Sequence, residues 1–281
     1  MKRIGIIFNP GKARAQTEIK KLTGWLRARG CTAVIVTPSG KKIPKLDCAL
    51  SLGGDGTMLR ASRLLAPLDV PLIGINLGSL GFLAETNPDD AYGFLSEVLA
   101  GKYRMEERIM LSVTLHSGRK TTRQIALNDA VIHSGKTNRI VTIAARVNDE
   151  FLADYIGDGL IVATPTGSTA YSLAASGPIA HPHLKVFVMT PICPHTLTQR
   201  PLIISSEHTL KLTAASRSTT EKPTLTIDGQ ITFTVANRDH VTITKAEKPL
   251  LLITNPRQQY LNVLRTKLKW GERGNSSPAE K

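Results

Sequence analysis

The stretch LSLGGDGTMLR, Leu50–Arg60, sets three glycines and one aspartate between an apolar run and a helical pattern. LDCALSL reads as a short buried strand, and TMLRASRLLA reads as a helix that stops at Pro67. A strand that passes through glycines straight into a helix marks an open α/β sheet, which binds its ligands at the carboxyl ends of strands. Glycine is costly to order, so a cluster signals positive φ or a close approach to the backbone. Gly53, Gly54 and Gly56 would let N–H groups reach phosphate oxygens without Cβ interference. Thr57 would cap the helix and keep its positive end at the same place. The plain alternative is a tight turn in which Asp55 bonds its own backbone, but one glycine would suffice for that.

Outward from this join the alternation continues. RIGIIFN, TAVIVT and VPLIGIN are further apolar strands, and Ala15, Ile19, Leu22 and Leu26 recur at helical spacing until Gly30. Asn87-Pro88 reads as an N-cap followed by Pro at the first helical position, opening a helix to about Leu99. Residues 1–104 are therefore expected to form a Rossmann-like parallel α/β domain with helices on both faces of the sheet. From Arg104 onward strand-like runs are separated by short polar turns, with one helix expected around STAYSLAAS, so residues 105–254 read as a mainly β domain of two packed layers. The segment 255–270 places Tyr260, Val263, Leu264 and Leu268 on one helical face that must pack on something, and residues 271–281 are expected to be a disordered tail.

Composition narrows the function classes. At 281 residues the chain can bury a sizeable core in one large domain or two ordinary ones. Its 41% hydrophobic and 21% charged residues fit a soluble globular protein, and 5% aromatics leave little for base-stacking platforms. Cys31, Cys48 and Cys193 form no CxxC pair and fit thiols in a reducing, cytoplasmic setting. No stretch approaches a membrane span, and the apolar run in MKRIGIIFNPGK is too short for a signal peptide. The net charge is +14, and residues 1–47 carry eleven Lys or Arg against two acids. Such an excess either attracts polyanions or simply solvates the first helix and the GKKIPK loop.

Several motifs fail on inspection. AVIHSGKT (Ala130–Thr137) approaches a phosphate-cradling P-loop, but Ala130 stands where the first glycine belongs, and a strand, NRIVTI, follows where a helix must open. No GxGxxG is present, since GDGTML ends in Leu59, and no GxSxG elbow occurs. His181, His183, Cys193 and His195 match no common zinc spacing, so no protein-bound metal is expected. Two segments stand beside GGDGT. In ALNDAVI, Asn128 and Asp129 lie side by side in an apolar strand, so one faces inward unless a bulge intervenes. A buried polar group needs a partner, which a purine edge, a ribose hydroxyl or an internal network could supply. GDGLIVATPTGSTAYSLAASGP (Gly157–Pro178) joins Asp158 to a dense run of small hydroxyl residues and a helix start near Ser168, able to line a nucleotide groove with donors and little bulk.

With these segments in view, the chain resembles the NAD kinase family. GGDGTMLRASR, NLGSLGFLAE, LND and DGLIVATPTGSTAYSLAASGPIAHP occur in the family's order, followed by CPHTLTQRPLIIS and IDGQ, so the resemblance runs from about Ile4 to Asn262. GGDGT alone is shared with diacylglycerol-type lipid kinases and phosphofructokinases; the long segment after Asp158 is what separates this family from them. Asp129 departs from the pattern, which has Glu after the Asn, and shortens the carboxylate's reach by one methylene.

The resemblance implies phosphorylation of the adenosine ribose 2′-hydroxyl of NAD, with ATP as donor and Mg²⁺ or another divalent cation as partner, giving NADP. It implies Asp55 as general base or metal ligand, and Gly53, Gly54, Gly56 and Thr57 as the phosphate loop, with Arg60 just beyond. Asn128 and Asp129 would hold the adenosine end, and Asp158 the nicotinamide-ribose end, contributed across subunits of a homodimer or homotetramer. Thr169, Ala170, Tyr171 and Ser172 would line the adenine pocket, Leu173 and Ala174 would extend its wall, and Phe82 would pack near the base. Arg139 and Gln230 match further binding positions. The family architecture is an α/β domain followed by a β-sandwich, with the C-terminal segment returning to the first domain. Two other readings stay open: a lipid or sugar kinase sharing the glycine loop, and a basic nucleotide- or nucleic-acid-binding regulator. Clustered glycines and hydroxyls argue against the regulator, which needs basic or stacking side chains at its site.

Overall fold

The computed structural model describes residues 1–11, 13–37, 42–78, 81–83, 86–135, 140–216, 222–256 and 259–270, with backbone alone at 13, 14 and 89. The tail 271–281 lies outside the described residues. In chain order the elements are β1 (Arg3–Phe8), α1 (Ala13–Arg27), β2 (Thr32–Ile35), β3 (Cys48–Leu52), α2 (Asp55–Leu65), β4 (Leu72–Ile75) and α3 (Pro88–Leu99). There follow β5 (Arg104–Arg108), β6 (Leu111–Ser117), β7 (Lys120–Ala126), β8 (Asp129–His133), β9 (Val141–Val147), β10 (Glu150–Gly157) and β11 (Gly159–Ala163). After α4 (Tyr171–Ala174) come β12 (Val186–Ile192), β13 (Leu202–Ser205), β14 (Leu210–Ser216), β15 (Thr224–Ile227), β16 (Ile231–Thr234), β17 (His240–Lys245), β18 (Leu250–Thr254) and α5 (Tyr260–Leu268).

The chain forms two compact units: Met1–Met58 with Ile73–Met105 and the chain from Ile253 onward, and Leu59–Leu72 with Glu106–Leu252. One sheet runs β2-β1-β3-β4-β18-β5, and the pairs β1–β2, β1–β3 and β4–β18 are parallel. Its inner strands are largely apolar, with Ser51 buried within β3, because helices cover both faces of a parallel sheet. Every residue of β3 and β4 is buried. Leu22 and Leu26 of α1 and Phe94, Leu95 and Val98 of α3 pack with Ile4, Ile6, Leu50 and Ile73 in one core. The sequence expectation for α3 is met in detail: Pro88 opens the helix, and the Asn87 side chain accepts the Asp90 N–H at 3.1 Å.

The second unit is a β-sandwich of two six-stranded sheets, β10-β9-β14-β17-β6-β7 and β13-β12-β11-β8-β15-β16. Alternating residues of the first sheet, such as Ile143, Leu210 and Ile243, meet Leu160, Val162, Phe187 and Ile227 of the second in a shared core. β11 is buried along its whole length, because Ile161 and Ala163 on its other face pack with Val131, Val188 and Ala180. The helix expected around STAYSLAAS shrinks to a 3₁₀ turn, Thr166–Thr169, and the single turn α4. Local hydroxyl bonds compete with a longer helix: Ser168 Oγ donates to the Pro165 carbonyl at 2.6 Å, and Thr169 Oγ1 to that of Thr166 at 3.3 Å.

Candidate active site

The glycine turn and its aspartate belong to the first unit. Gly53 follows β3 and donates its N–H to the Ile75 carbonyl at 3.0 Å. A Cβ there would lie 2.3 Å from Thr57 Oγ1, so glycine is required by contact. At Gly54 an added Cβ would meet nothing within 4 Å. α2 begins at Asp55, three residues earlier than a Thr57 cap requires. Gly54 holds the cap position instead, its carbonyl accepting the N–H of Thr57 at 2.9 Å and of Met58 at 3.3 Å. Thr57 therefore stands inside the first turn, and Arg60 is half-buried further along the helix.

Asp55 makes no mere turn closure. Its carboxylate is gripped from outside: Oδ2 accepts the Phe82 N–H and Oδ1 the Leu83 N–H, each at 3.2 Å. The Phe82 ring is half-buried, with Lys267 Nζ 5.9 Å from its centre. The aspartate is thus half-buried and oriented on two sides, at the positive end of an eleven-residue helix.

In the second unit a cavity of about 500 Å³ opens at the start of β8. Its organising group is Asp228, in an Asp-Gly turn between β15 and β16. Asp228 and Gly229 have φ of 49° and 62°, and the Gln230 N–H closes the turn on the Ile227 carbonyl at 2.9 Å. The Asp228 carboxylate accepts the N–H of Leu127 at 3.2 Å, of Asn128 at 2.8 Å and of Asp129 at 3.2 Å, and Arg63 Nη1 at 2.7 Å. With these backbone groups bound behind the strand, the side chains of Asn128 and Asp129 line the cavity. Asn128 Oδ1 is buried without a hydrogen-bond partner among the described residues. Asp129 is 4% exposed.

Burial, and secondarily the nearby Asp228, push the Asp129 carboxyl up to about 7. Burial also raises Asp228, against the opposing pull of the Asn128 amide and Arg63. Because Asp129 binds its proton more tightly folded than unfolded, its contribution to stability is complete below its ordinary value of 3.8 and is lost as pH rises to about 7. Asp129→Asn is expected to match the wild-type melting temperature near pH 4 and to exceed it increasingly up to pH 7, with a constant gap above. Equal profiles in a thermal-shift series would reject this.

Other parts of the rim come from the β11–α4 connection. Ala170 and Tyr171 line the cavity, as does Asp158 between β10 and β11; Tyr171, 48% exposed, also lines a second hollow with Ala174, Cys193 and Arg200. The hydroxyls of this connection turn inward. Ser172 is buried with its Oγ 2.8 Å from Thr190 Oγ1, and Thr164 Oγ1 donates to the Leu127 carbonyl at 2.5 Å. These bonds brace the connection; Thr169, half-buried, bonds within its own turn. Leu173 is half-buried and Ala174 exposed. Gln230 is not on the cavity wall: its Oε1 accepts Arg63 Nη2. Arg139 lies outside the described residues.

Sequence reasoning missed Asp228, Arg63, His133, Ser134 and Thr226. The last three line the cavity, and burial lowers the proton affinity of the His133 ring. The Asp-Gly pair in IDGQ was a hairpin signal that could have pointed to Asp228. Nothing local marks Arg63, whose partner is 165 residues away. Among the described residues, no three His, Cys, Asp or Glu side chains converge as a metal cage would require.

Comparison with known proteins gives this geometry a family. Residues 41–103 match the model of the ATP-NAD kinase N-terminal domain and residues 127–255 that of the ATP-NAD kinase C-terminal domain. The NAD kinase of Trichlorobacter lovleyi is 40% identical over 286 residues, covering 97% of this chain and 100% of that protein. The NAD kinase of Geotalea daltonii is 42% identical over 287 residues, with the same coverage of 97% and 100%. Yeast NADH kinase, solved with NADH, shares the fold with a TM-score of 0.88 at 22% identity, covering 97% of this chain and 89% of that one. An NAD kinase from Archaeoglobus fulgidus, solved with ATP, has a TM-score of 0.78 at 26% identity, covering 95% and 98%. Relatives that align from end to end at 40–42% identity leave one conclusion: the chain belongs to the NAD kinase family, phosphotransferases that convert NAD to NADP with ATP.

Proposed function

We propose that this chain transfers the γ-phosphoryl group of ATP to the 2′-hydroxyl of the adenosine ribose of NAD, with Asp55 addressing that hydroxyl. The supporting observation is a carboxylate at a glycine-lined strand–helix join, each oxygen aligned by one backbone amide. Phosphoryl transfer is mainly positioning and charge neutralisation through a loose transition state. Carboxylates are weak bases toward alcohols, so early removal of the proton is unfavourable. Asp55 orients the hydroxyl and accepts its proton late in transfer.

Gly53, Gly54 and Gly56, with Thr57 in the first turn of α2, give phosphate oxygens access to backbone N–H groups at the helix's positive end. A divalent cation bound with ATP neutralises phosphate charge. The donor set suits one held largely by phosphate oxygens with a single carboxylate, for which Asp55 is the candidate. In the sandwich unit Asn128 and Asp129 take the adenosine end of NAD, Asp158 the nicotinamide ribose, and Ala170 and Tyr171 the base. Phe82, Arg60, Arg139 and Gln230 belong to the wider binding set. The enzyme works as a cytosolic homodimer or homotetramer. Cys31 and Cys48 are free and buried, the latter's thiol pushed up to about 12 by burial, as inert thiols in a reducing compartment would be.

Incubation with ATP, Mg²⁺ and NAD, coupled to an NADP-specific dehydrogenase, should give continuous signal. Turnover of diacylglycerol or fructose 6-phosphate with none of NAD would overturn the reading, and sedimentation reads the oligomer. Tyr171→Ala is expected to raise the KM for NAD by about tenfold, more than that for ATP, through loss of a stacking contact worth about 1–3 kcal/mol. An equal rise for both nucleotides would point to general loosening instead.

A further inference from the structure

Asp129 and Asp228 are neighbouring buried acids that are unequally supplied. Asp228 receives three backbone N–H groups and the Arg63 guanidinium. The Asp129 carboxyl receives no donor among the described residues and opens on the cavity, while its backbone exchanges bonds with Asp228 in both directions: Asp129 N–H to Oδ1 at 3.2 Å, and Asp228 N–H to the Asp129 carbonyl at 2.9 Å. Two adjacent buried carboxyls do not both ionise readily, and the charge settles on the one with donors.

Resting on the functional reading above, we propose that Asp129 engages NAD as a neutral acid, donating its proton in a hydrogen bond to an acceptor atom of the nucleotide, while Asp228 behind it carries the charge. The surroundings agree. Ala163, opposite Asp129 on β11, and residues 164–170 above it carry no charge, and on the β15 side the charges are Asp228 and its partner Arg63. Of the other titratable groups lining the cavity, Asp158 is a carboxylic acid, His133 is an imidazole whose proton affinity burial lowers, and Tyr171 is a phenol. A second ionised carboxylate here would add to Asp158 against a diphosphate-bearing ligand. A neutral one removes that repulsion and offers a donor to the nitrogens and oxygens that make up a dinucleotide's edges. The upward shift of Asp129 caused by burial and by Asp228 puts the change in the physiological range.

The test is calorimetric titration of the full-length protein with NAD from pH 6 to pH 8, in buffers of different ionisation enthalpy. Because only the protonated fraction is competent, the wild-type Kd is expected to weaken about tenfold across that range, with uptake of about one proton per NAD at pH 8. Asp129→Asn, which keeps a donor and cannot ionise, should bind within about threefold of wild type at pH 6 and show a flat profile without that uptake. NAD binding with no proton uptake by the wild type would overturn the inference alone and needs no variant. So would an Asn variant that keeps the wild-type profile, or one tenfold weaker at pH 6. Absence of NAD binding at every pH, together with no NADP formed in the coupled assay, would overturn the functional reading as well.

Discussion

Asp55→Asn is expected to fold, to retain NAD within about threefold of the wild-type Kd, and to lose kcat by about 10²–10⁴-fold, the range for a missing general base. The structure refines how this should be read. Asn keeps one oxygen for one of the Phe82 and Leu83 amides, but turns its NH₂ toward the other. A donor left facing a donor costs about 1–3 kcal/mol when buried and less in this half-buried setting. Part of any change in melting temperature therefore belongs to the lost amide bond, whereas the fall in kcat belongs to the proton acceptor. Asp55→Glu separates the two. It restores a carboxylate on a longer arm, so stability should recover toward wild type while kcat stays at least tenfold low. Coupled assay and thermal shift on the same preparations decide it. A variant lacking the carboxylate with near-normal turnover would remove Asp55 from the chemistry.

Gly167→Ala should strike the sandwich unit harder than any other single methyl group at the site. An added Cβ would lie 2.0 Å from the Asn128 carbonyl oxygen and 2.4 Å from its carbon, both backbone atoms of a buried strand start. No flexible side chain can yield. Either β8 shifts or the connection lifts from it, straining the Thr164 N–H bond to the Asn128 carbonyl at 2.8 Å and the Thr164 hydroxyl bond to Gly167 N–H at 3.0 Å. Overpacking of this kind costs about 1–3 kcal/mol and more where backbone must move. The expected result is a melting temperature several degrees lower and a KM for NAD at least tenfold higher, with a smaller change in kcat. A variant within a degree of wild type and with unchanged KM would show that the connection is more compliant than its contacts indicate.

The order of elements was legible because burial leaves periodicity behind it. Ile4, Ile6, Leu50 and Ile73 sit in strands covered on both faces, so their segments read as largely apolar runs. Asn87-Pro88 was legible because capping is local chemistry. STAYSLAAS misled, since its hydroxyls bond neighbouring carbonyls and halt the helix after one turn. Thr57 misled for a related reason: a glycine can hold the cap position through its carbonyl alone, leaving no side-chain signature of where α2 starts. At the candidate site, GGDGT and the Asn128–Asp129 pair announced themselves as polar interruptions of apolar segments. Arg63 and Asp228 did not, because their significance is a contact spanning 165 positions.

The Asp228 anchor separates scaffolding from recognition in residues 127–129. Their amide groups are fastened from behind to one distant carboxylate, whereas the side chains at 128 and 129 carry none of that fastening. Heritable variation at those two positions can therefore retune which nucleotide is preferred without disturbing the strand that presents them. The same freedom does not extend to position 228, where even an isosteric amide would turn its NH₂ either toward Leu127 and Arg63 or toward Asn128 and Asp129.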